Sequence, residues 1–191
     1  MGKQLCAILI LCSMVISITA VHGIAEDPIS VEKWFDNLTN SKQKVTKLEF
    51  YFQDMRGGKN PTSIQVARAN ATNTSPTLFG GINMVDNPLT VGPELSSKQL
   101  GRAQGIYGAS SMEEMSLLTL VNLAFTDGKY NGSTLALLGR NPILEEYREM
   151  SIVGGSGLFR LARGIATAKT YSINATSGYG VVHYHVIAIH Y

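Results

Sequence analysis

Residues 139–170 have the sequence GRNPILEEYREMSIVGGSGLFRLARGIATAKT, and this stretch is the most informative part of the chain. Its pattern predicts three short strands joined by turns that contain glycine. A soluble strand seldom carries an arginine on its core face, so this stretch predicts a barrel or sandwich whose interior or rim holds something polar. The arginines that recur within its apolar segments are Arg140, Arg148, Arg160 and Arg163.

Strand patterns continue on both sides of this stretch, from residue 44 to the end of the chain. Short apolar and aromatic runs are separated by turn dipeptides such as Asp127-Gly128 and Asn131-Gly132. Many short strands without a long helix favour an all-β barrel or sandwich. The predicted strands span residues 47–54, 63–67, 78–85, 103–110, 115–126, 133–140, 147–153, 163–171 and 179–190.

The first residues, 1–23, are predicted to be a secretory signal peptide. An uncharged apolar run at 5–20 follows Lys3, and it is too short to span a bilayer comfortably. No other segment is long and apolar enough to cross a membrane. Both cysteines, Cys6 and Cys12, lie in this signal. The secreted chain would therefore have no disulfide, and its core must hold the fold.

A leader at 24–44 is predicted to precede one domain at 45–191. The leader contains four apolar residues at helical spacing, which predicts a short helix from Asp27-Pro28 to Asn40. The residues on this helix face are Val31, Trp34, Phe35 and Leu38. The domain is long enough to bury a core of its own.

Five Asn-x-Ser/Thr sequons follow the signal peptide, and together they predict N-glycosylation in the secretory pathway. The formal net charge of +2 includes no basic run, so the sequence gives no support for nucleic-acid binding. A net charge this close to zero also suits a small, largely apolar ligand. The predicted acceptors are Asn37, Asn70, Asn73, Asn131 and Asn174.

Asp54 is the first candidate for chemistry. In a strand it shares a face with Leu48, Phe50 and Phe52. A carboxyl group at the end of an aromatic face is partly desolvated, and desolvation raises its pKa, so it could deliver a proton near neutral pH. The alternative is a turn aspartate that caps the loop at 55–58.

Two further residues could contact a ligand. Arg148 alternates with Met150 and Ile152, so on an inward face it would be a fixed cation for a phenolate or carboxylate oxygen. Its alternative is an edge position that pairs with Glu146 or Glu149. Tyr107 follows a small-residue strand and could hydrogen-bond a substrate oxygen, or simply pack in the core.

The sequence favours neither a metal site nor nucleophilic catalysis. His183 and His185 share a strand face, but His190 falls on the other face and no third ligand has metal-site spacing. There is no Gly-x-Ser-x-Gly elbow, and Gly154-Gly155-Ser156-Gly157 lacks the Lys-Ser/Thr of a phosphate loop. We therefore expect a protein without cofactor or metal.

The chain resembles plant dirigent proteins over residues 44–191, because several separate motifs occur in that family's order and spacing. It is most similar to the branch that carries Gly-Arg-Asn-Pro rather than to the lignan-forming branch. The motifs lie at 48–54, 91–94, 101–107, 139–142, 148–150 and 154–164.

The resemblance implies an eight-stranded antiparallel β-barrel that is glycosylated, secreted to the apoplast or cell wall, and homo-oligomeric, usually a trimer. Members of the family bind phenoxy radicals or quinone methides inside the barrel. A separate laccase or peroxidase makes the radicals, and the dirigent protein selects the face on which they couple.

The resemblance also implies residue roles. Asp54 matches the aspartate at the end of the first strand and Arg148 a pocket arginine, and these two are the predicted catalytic residues. Tyr107 matches a pocket tyrosine and Thr167 a pocket threonine. Phe52 lies on the same strand face as Asp54 and is predicted to contact the substrate.

Two positions depart from the family pattern. Asn141 stands where lignan formers carry a second pocket aspartate, and Gln53 replaces the histidine that usually precedes Asp54. An amide neither donates a proton as an acid nor carries negative charge, so a mechanism with two carboxyl groups is in doubt. Asn141 remains a predicted substrate contact.

Three functions follow as hypotheses. The first is stereoselective coupling of phenoxy radicals into lignan-type products. The second is a dehydratase and cyclase similar to pterocarpan synthases, which act on an isoflavanol through a quinone methide. The third is a cell-wall scaffold without turnover.

Overall fold

The computed structural model describes residues 26–191, so the predicted signal peptide and both cysteines lie outside the described residues. One helix, α1 (Pro28–Asp36), precedes nine strands. The strands are β1 (Lys44–Met55), β2 (Ser63–Ala67), β3 (Ile82–Thr90), β4 (Gln99–Ala109), β5 (Ser116–Phe125), β6 (Thr134–Pro142), β7 (Arg148–Ser156), β8 (Arg163–Asn174) and β9 (Tyr179–His190).

Eight of these strands close into an antiparallel barrel, as predicted. The neighbours run in the order β1-β9-β8-β7-β6-β5-β4-β3, and β1 returns to β3 through the pairs Tyr51–Thr90 and Phe52–Leu89. The first half of β3 pairs instead with β2, which lies outside the ring on its edge. Because the ring closes, the barrel is the correct choice over the sandwich.

An aromatic and aliphatic core fills the end of the barrel away from Asp54. Phe159 is fully buried, with its ring centroid 5.0 Å from Tyr130 and 5.8 Å from Phe125. Burying a large apolar side chain of this kind contributes about 1.5–3 kcal/mol. The opposite end of the barrel lacks such a plug, and this leaves room for a cavity.

Helix α1 begins as predicted at Asp27, whose carboxylate accepts from Ile29 N at 3.1 Å and Ser30 N at 3.2 Å. It ends at Asp36, earlier than predicted, and a short 3-10 turn at Leu38–Asn40 follows. No helix among the described residues has both the length and the apolar character needed to span a bilayer.

The predicted start of the third strand at residue 78 is wrong. Leu78 has φ of 60° and Gly80 has φ of 86°, so the chain turns there and β3 begins only at Ile82. These left-handed angles suit glycine and are rare for leucine. The turn places Leu78 beside the open end of the barrel.

Candidate functional site

A cavity of about 140 Å³ opens at the end of the barrel that carries Asp54. Its polar positions include Asp54, Arg56, Tyr107 and Thr170. Strand alternation sends every second side chain inward, so these groups meet from β1, β4 and β8. The wall is otherwise largely apolar and includes Leu78, Ala109, Met115, Leu117, Ile143 and Val182.

Asp54 lies at the inward end of β1 with 19% of its side chain exposed. Asn87 Nδ2 donates to its Oδ1 at 3.3 Å, and Arg56 Nε lies 3.7 Å from its Oδ2. Burial is the largest influence on the pKa of Asp54 and raises it, while Arg56 and Asn87 oppose that rise. The predicted direction is confirmed.

The alternative of Asp54 as a turn cap has no support among residues 26–191, where its carboxylate accepts from side chains and not from the loop backbone. The loop after β1 is held by main-chain bonds instead. Arg56 N donates to Gly178 O at 2.9 Å, and Thr62 N donates to Met55 O at 2.8 Å. The carboxylate is thus free to face the cavity.

Tyr107 lies on the inward face of β4 and is 8% exposed. Its hydroxyl is 2.6 Å from Ser63 Oγ and donates to Asp54 Oδ2 at 3.4 Å. Burial first, and then the charge of Asp54, raise the pKa of Tyr107 to about 12. The phenol therefore stays neutral at physiological pH and serves as a hydrogen-bond donor beside the carboxylate.

Arg148 faces the barrel interior with Met150 and Ile152, and it is 3% exposed. Its Nη1 donates to Thr170 Oγ1 at 2.7 Å and to Ile143 O at 3.0 Å. Burial lowers the pKa of this guanidinium. The alternative of an edge pair with glutamate is wrong, because Glu146 pairs with Lys169 at 2.8 Å.

None of the four arginines of the opening stretch lines the cavity, although Arg148 contacts Thr170, which does. Arg140 pairs with Glu114, and Arg160 lies 5.3 Å from the ring of Trp34 and 3.5 Å from Glu26. Arg163 is exposed. The polar interior that the arginine pattern predicts is therefore built around Arg148 alone among these four residues.

Asn141 and Phe52 also point inward. Asn141 is 8% exposed, its Nδ2 donates to Thr119 Oγ1 at 3.4 Å, and its enclosed Oδ1 has no partner within the described chain. Phe52 is buried, and its ring centroid lies 5.8 Å from that of Tyr184. Both residues border the interior below the cavity mouth, without lining the mouth itself.

Thr167 is not brought to the cavity, and its prediction as a pocket residue is wrong. It pairs with Glu149 and His185 on the outer face, while its neighbours Ala166 and Ala168 are fully buried inside. Successive side chains of a strand point to opposite faces, so Thr167 points outward where Ala166 and Ala168 point inward. Thr170, three positions further along β8, lines the cavity and contacts Arg148.

Two residues at the site were missed by sequence reasoning. Ser63 is the first residue of β2 and is 2% exposed, and Asn87 is fully buried in β3. Ser63 reaches Tyr107 because β2 pairs with β3, and Asn87 reaches Asp54 because β3 pairs with β1 to close the barrel. Neither residue lies in a recognisable motif, so only the pairing of distant segments could have identified them.

The C-terminal histidines do not converge. The ring of His183 lies 4.9 Å from that of Tyr51, and His190 Nε2 is 2.9 Å from Thr46 Oγ1. Between residues 26 and 191, no three His, Cys, Asp or Glu side chains are grouped as metal ligands.

Comparison with known proteins gives consistent matches. A family model described as "Dirigent-like protein" matches residues 45–189. Dirigent protein 21 of Arabidopsis thaliana is 51% identical over 77% of this chain and 78% of its own length. Pterocarpan synthase 1 of Glycyrrhiza echinata is 48% identical over 78% of this chain and 80% of its own length. The solved structure of a pterocarpan synthase dirigent protein superposes with a TM-score of 0.74 at 48% identity, covering 79% of this chain and 87% of that one.

Proposed function

The chain belongs to the dirigent family, and from this premise we propose that it binds a two-ring phenol in the barrel and removes water from a benzylic alcohol, with ring closure through a quinone methide. The 48% identity to a pterocarpan synthase over most of both chains supports this choice. The observation that carries it is Asp54, a carboxyl group of raised pKa that faces a largely apolar cavity.

Proton transfer from Asp54 is the first step of this proposal. A benzylic hydroxyl leaves readily only as water, so the acid form of Asp54 donates its proton to that oxygen as the C–O bond breaks. A phenol conjugated with the benzylic carbon loses its own proton to solvent, and the neutral quinone methide forms. A second phenol oxygen then adds to the benzylic carbon as its proton passes to the quinone methide oxygen, and solvent returns a proton to Asp54. The net change is the loss of one water molecule.

Arg148 and Tyr107 have supporting roles in this scheme. The quinone methide oxygen gains negative charge as the nucleophile adds, and a fixed guanidinium stabilises that charge. Tyr107 is a neutral donor that orients the carboxyl group of Asp54. Because the cavity wall is mostly apolar, it disfavours water, which would otherwise compete as the nucleophile.

Asn141 restricts the scheme to one carboxyl group. Its amide faces the interior where lignan formers have an aspartate, and it supplies neither a proton nor a negative charge. We therefore assign the protonation of the leaving hydroxyl to Asp54 alone, and the phenol proton is released to solvent.

Stereoselective coupling of phenoxy radicals is the second candidate, supported by the apolar wall that could hold a neutral radical in one orientation. Here a separate laccase or peroxidase supplies the radicals. Chiral product analysis separates the two candidates. Coniferyl alcohol with laccase, with and without the protein, tests radical coupling, while an isoflavanol without any oxidant tests dehydration. If only the assay with coniferyl alcohol and laccase gives an enantiomeric excess, radical coupling replaces dehydration as the proposed function.

Secretion and N-glycosylation remain part of the proposal. All five sequon asparagines are exposed, as glycan attachment requires. In plant expression the protein is expected in the apoplastic fluid, with a mass that falls after enzymatic removal of N-glycans. An unglycosylated protein retained inside the cell would contradict this expectation.

An apolar belt on the outer barrel surface supports self-association. Each of its residues pairs with the next across adjacent strands, from β2 to β6. Four of the five residues are between 37% and 55% exposed, more contiguous apolar surface than a monomer usually presents. We assign this belt to a homotrimer interface. The residues of the belt are Ile64, Met84, Ile106, Leu120 and Leu138.

Charging this belt is expected to dissociate the trimer. The wild type should sediment as a trimer, and the double variant Met84→Lys, Leu120→Lys as a monomer, because buried lysines would lack partners. Val45→Lys, at an exposed apolar position on β1, is the matched control and should stay trimeric. Analytical ultracentrifugation measures all three, and a double variant that remains trimeric excludes the belt as the interface.

A further inference from the structure

Tyr184 lies on the inward face of β9 and belongs to no motif noted in the sequence. It is 4% exposed and pairs with Phe50 on one side and Ala168 on the other. Its ring stacks on Phe50, with centroids 5.6 Å apart and planes 12° apart, and it also contacts Phe52. The phenol is therefore held in one orientation inside the barrel.

The hydroxyl of Tyr184 has no hydrogen-bond partner in the described part of the chain. The hydroxyls of two other tyrosines near this region are bonded, Tyr107 to Ser63 and Tyr179 to Gln53. The Tyr184 oxygen is not fully enclosed, so it keeps contact with the open space inside the barrel, where a phenol usually finds a hydrogen-bond partner. This hydroxyl thus points to a ligand or a solvent molecule inside the barrel.

Two fully buried polar atoms without a partner belong to residues near Tyr184. Arg148 pairs with Ala168, which pairs with Tyr184, so the small alanine separates the two longer side chains. Arg148 Nε and Asn141 Oδ1 are both enclosed without a partner among residues 26–191. Gly139 of β6 lies against Met150 of β7, and the same antiparallel register continued by two residues brings the backbones of Asn141 and Arg148 side by side.

We propose that Tyr184, Arg148 and Asn141 form an inner polar subsite that receives a phenolic oxygen at the buried end of the substrate, with the Tyr184 hydroxyl donating to that oxygen. This inference rests on the proposed function. Tyr184 pairs with Phe50, which is four residues before Asp54 on β1, so the two backbone positions are separated by about 13 Å along the strand. The barrel interior therefore favours an elongated ligand with oxygen atoms on both ring systems.

Electrostatics fits a donor at this position. Burial is the main cause that raises the pKa of Tyr184 to about 12, while the charge of Arg148 lowers it and that of Asp54 raises it. The hydroxyl is protonated throughout the physiological range. Arg148, which already donates Nη1 to Thr170 and Ile143, has its Nε left for the same ligand oxygen.

Tyr184→Phe tests the subsite, since it removes one oxygen and keeps the stacked ring. The probes are 7-hydroxyisoflavan and unsubstituted isoflavan, which lack a benzylic hydroxyl and so bind without turnover. Isothermal titration calorimetry should show about fivefold weaker binding of the hydroxylated probe to the variant, and unchanged binding of the other. The control Tyr179→Phe, which loses its bond to Gln53 instead, should bind both probes as the wild type does.

Three results would overturn the subsite. They are equal affinities of wild type and Tyr184→Phe for the hydroxylated probe, an equal loss for both probes, and no binding of either probe to the wild type. A structural role alone would lower the melting temperature and weaken both probes alike. If the hydroxylated probe binds more tightly to the wild type than to Tyr184→Phe, but the wild type converts no isoflavanol, the subsite is supported and the proposed dehydration is excluded.

Discussion

Replacing Asp54 by Asn is expected to lower kcat for isoflavanol dehydration by about 10²–10⁴-fold, the usual range for loss of a general acid. The amide keeps the shape of the carboxyl group and can still be hydrogen-bonded by Asn87 and Tyr107. It has no acidic proton to give to the leaving hydroxyl. The binding of an unreactive phenol should change little, so the effect falls on kcat rather than on affinity.

Asp86→Asn is the matched control for this variant. Asp86 lies on the outer surface, where it pairs with Arg102 at 2.6 Å, and it should keep wild-type turnover. Steady-state rates of the two variants and the wild type decide the outcome. An Asp54→Asn variant with an unchanged rate would exclude Asp54 as the proton donor.

The pH dependence follows from the same residue. The acid form of Asp54 is active, so kcat should fall as the pH rises through the raised pKa of this group. Stability should change in the same direction. Folding favours the protonated form, so the stability contribution of Asp54 is lost between its ordinary value of 3.8 and its raised pKa. At neutral pH, Asp54→Asn should therefore unfold at the same temperature as the wild type or above it.

Replacing Arg148 by Met is expected to lower turnover by about 10²-fold or more while leaving the fold intact. The guanidinium is the cation that stabilises the developing phenolate, and loss of one such group typically costs about 2.7–4 kcal/mol of transition-state stabilisation. Methionine keeps the aliphatic length and removes a buried charge that pairs with no carboxylate in the described structure. Removal of this unpaired buried charge offsets the loss of its hydrogen bonds to Thr170 and Ile143.

Two controls separate charge from packing at Arg148. Arg148→Lys keeps the positive charge but lacks the planar guanidinium with its several N–H donors. It should therefore be more active than Arg148→Met and less active than the wild type. Arg140→Met removes an arginine from the outer surface and should leave turnover unchanged. Thermal unfolding and steady-state kinetics are measured on each variant. A Met variant that loses stability and activity in parallel would assign Arg148 to the fold rather than to the chemistry.

Period-two alternation predicts much of this site from the sequence. It places Asp54 with Phe50 and Phe52, and Arg148 with Met150, and the structure has both faces inward. Hydrophobic alternation is a local pattern, so it can be recognised in the sequence without knowing which strands pair. The same rule, applied to β8, would have placed Thr167 outside with the exposed face. Its assignment to the pocket came from the resemblance alone.

The parts that could not be predicted depend on which strands meet. Ser63 reaches Tyr107 through the pairing of β2 with the first half of β3, and Asn87 reaches Asp54 through the pairing of β1 with the second half, which closes the ring. Tyr184 has a stacked ring like an ordinary core tyrosine. Only the barrel register, which aligns it with Ala168 and Arg148, gives its hydroxyl a function. Long-range pairing of this kind leaves no local sequence signal.

The most direct test of the central claim uses a racemic isoflavanol labelled with ¹⁸O at the benzylic hydroxyl, mixed with an equal concentration of wild-type protein and no oxidant. We predict that one enantiomer is consumed, that the label leaves as water, and that a single enantiomer of the cyclic ether accumulates. The Asp54→Asn variant should give product no faster than buffer alone. Unchanged substrate with the wild-type protein, or racemic product formed at the rate of the uncatalysed reaction, would contradict the account.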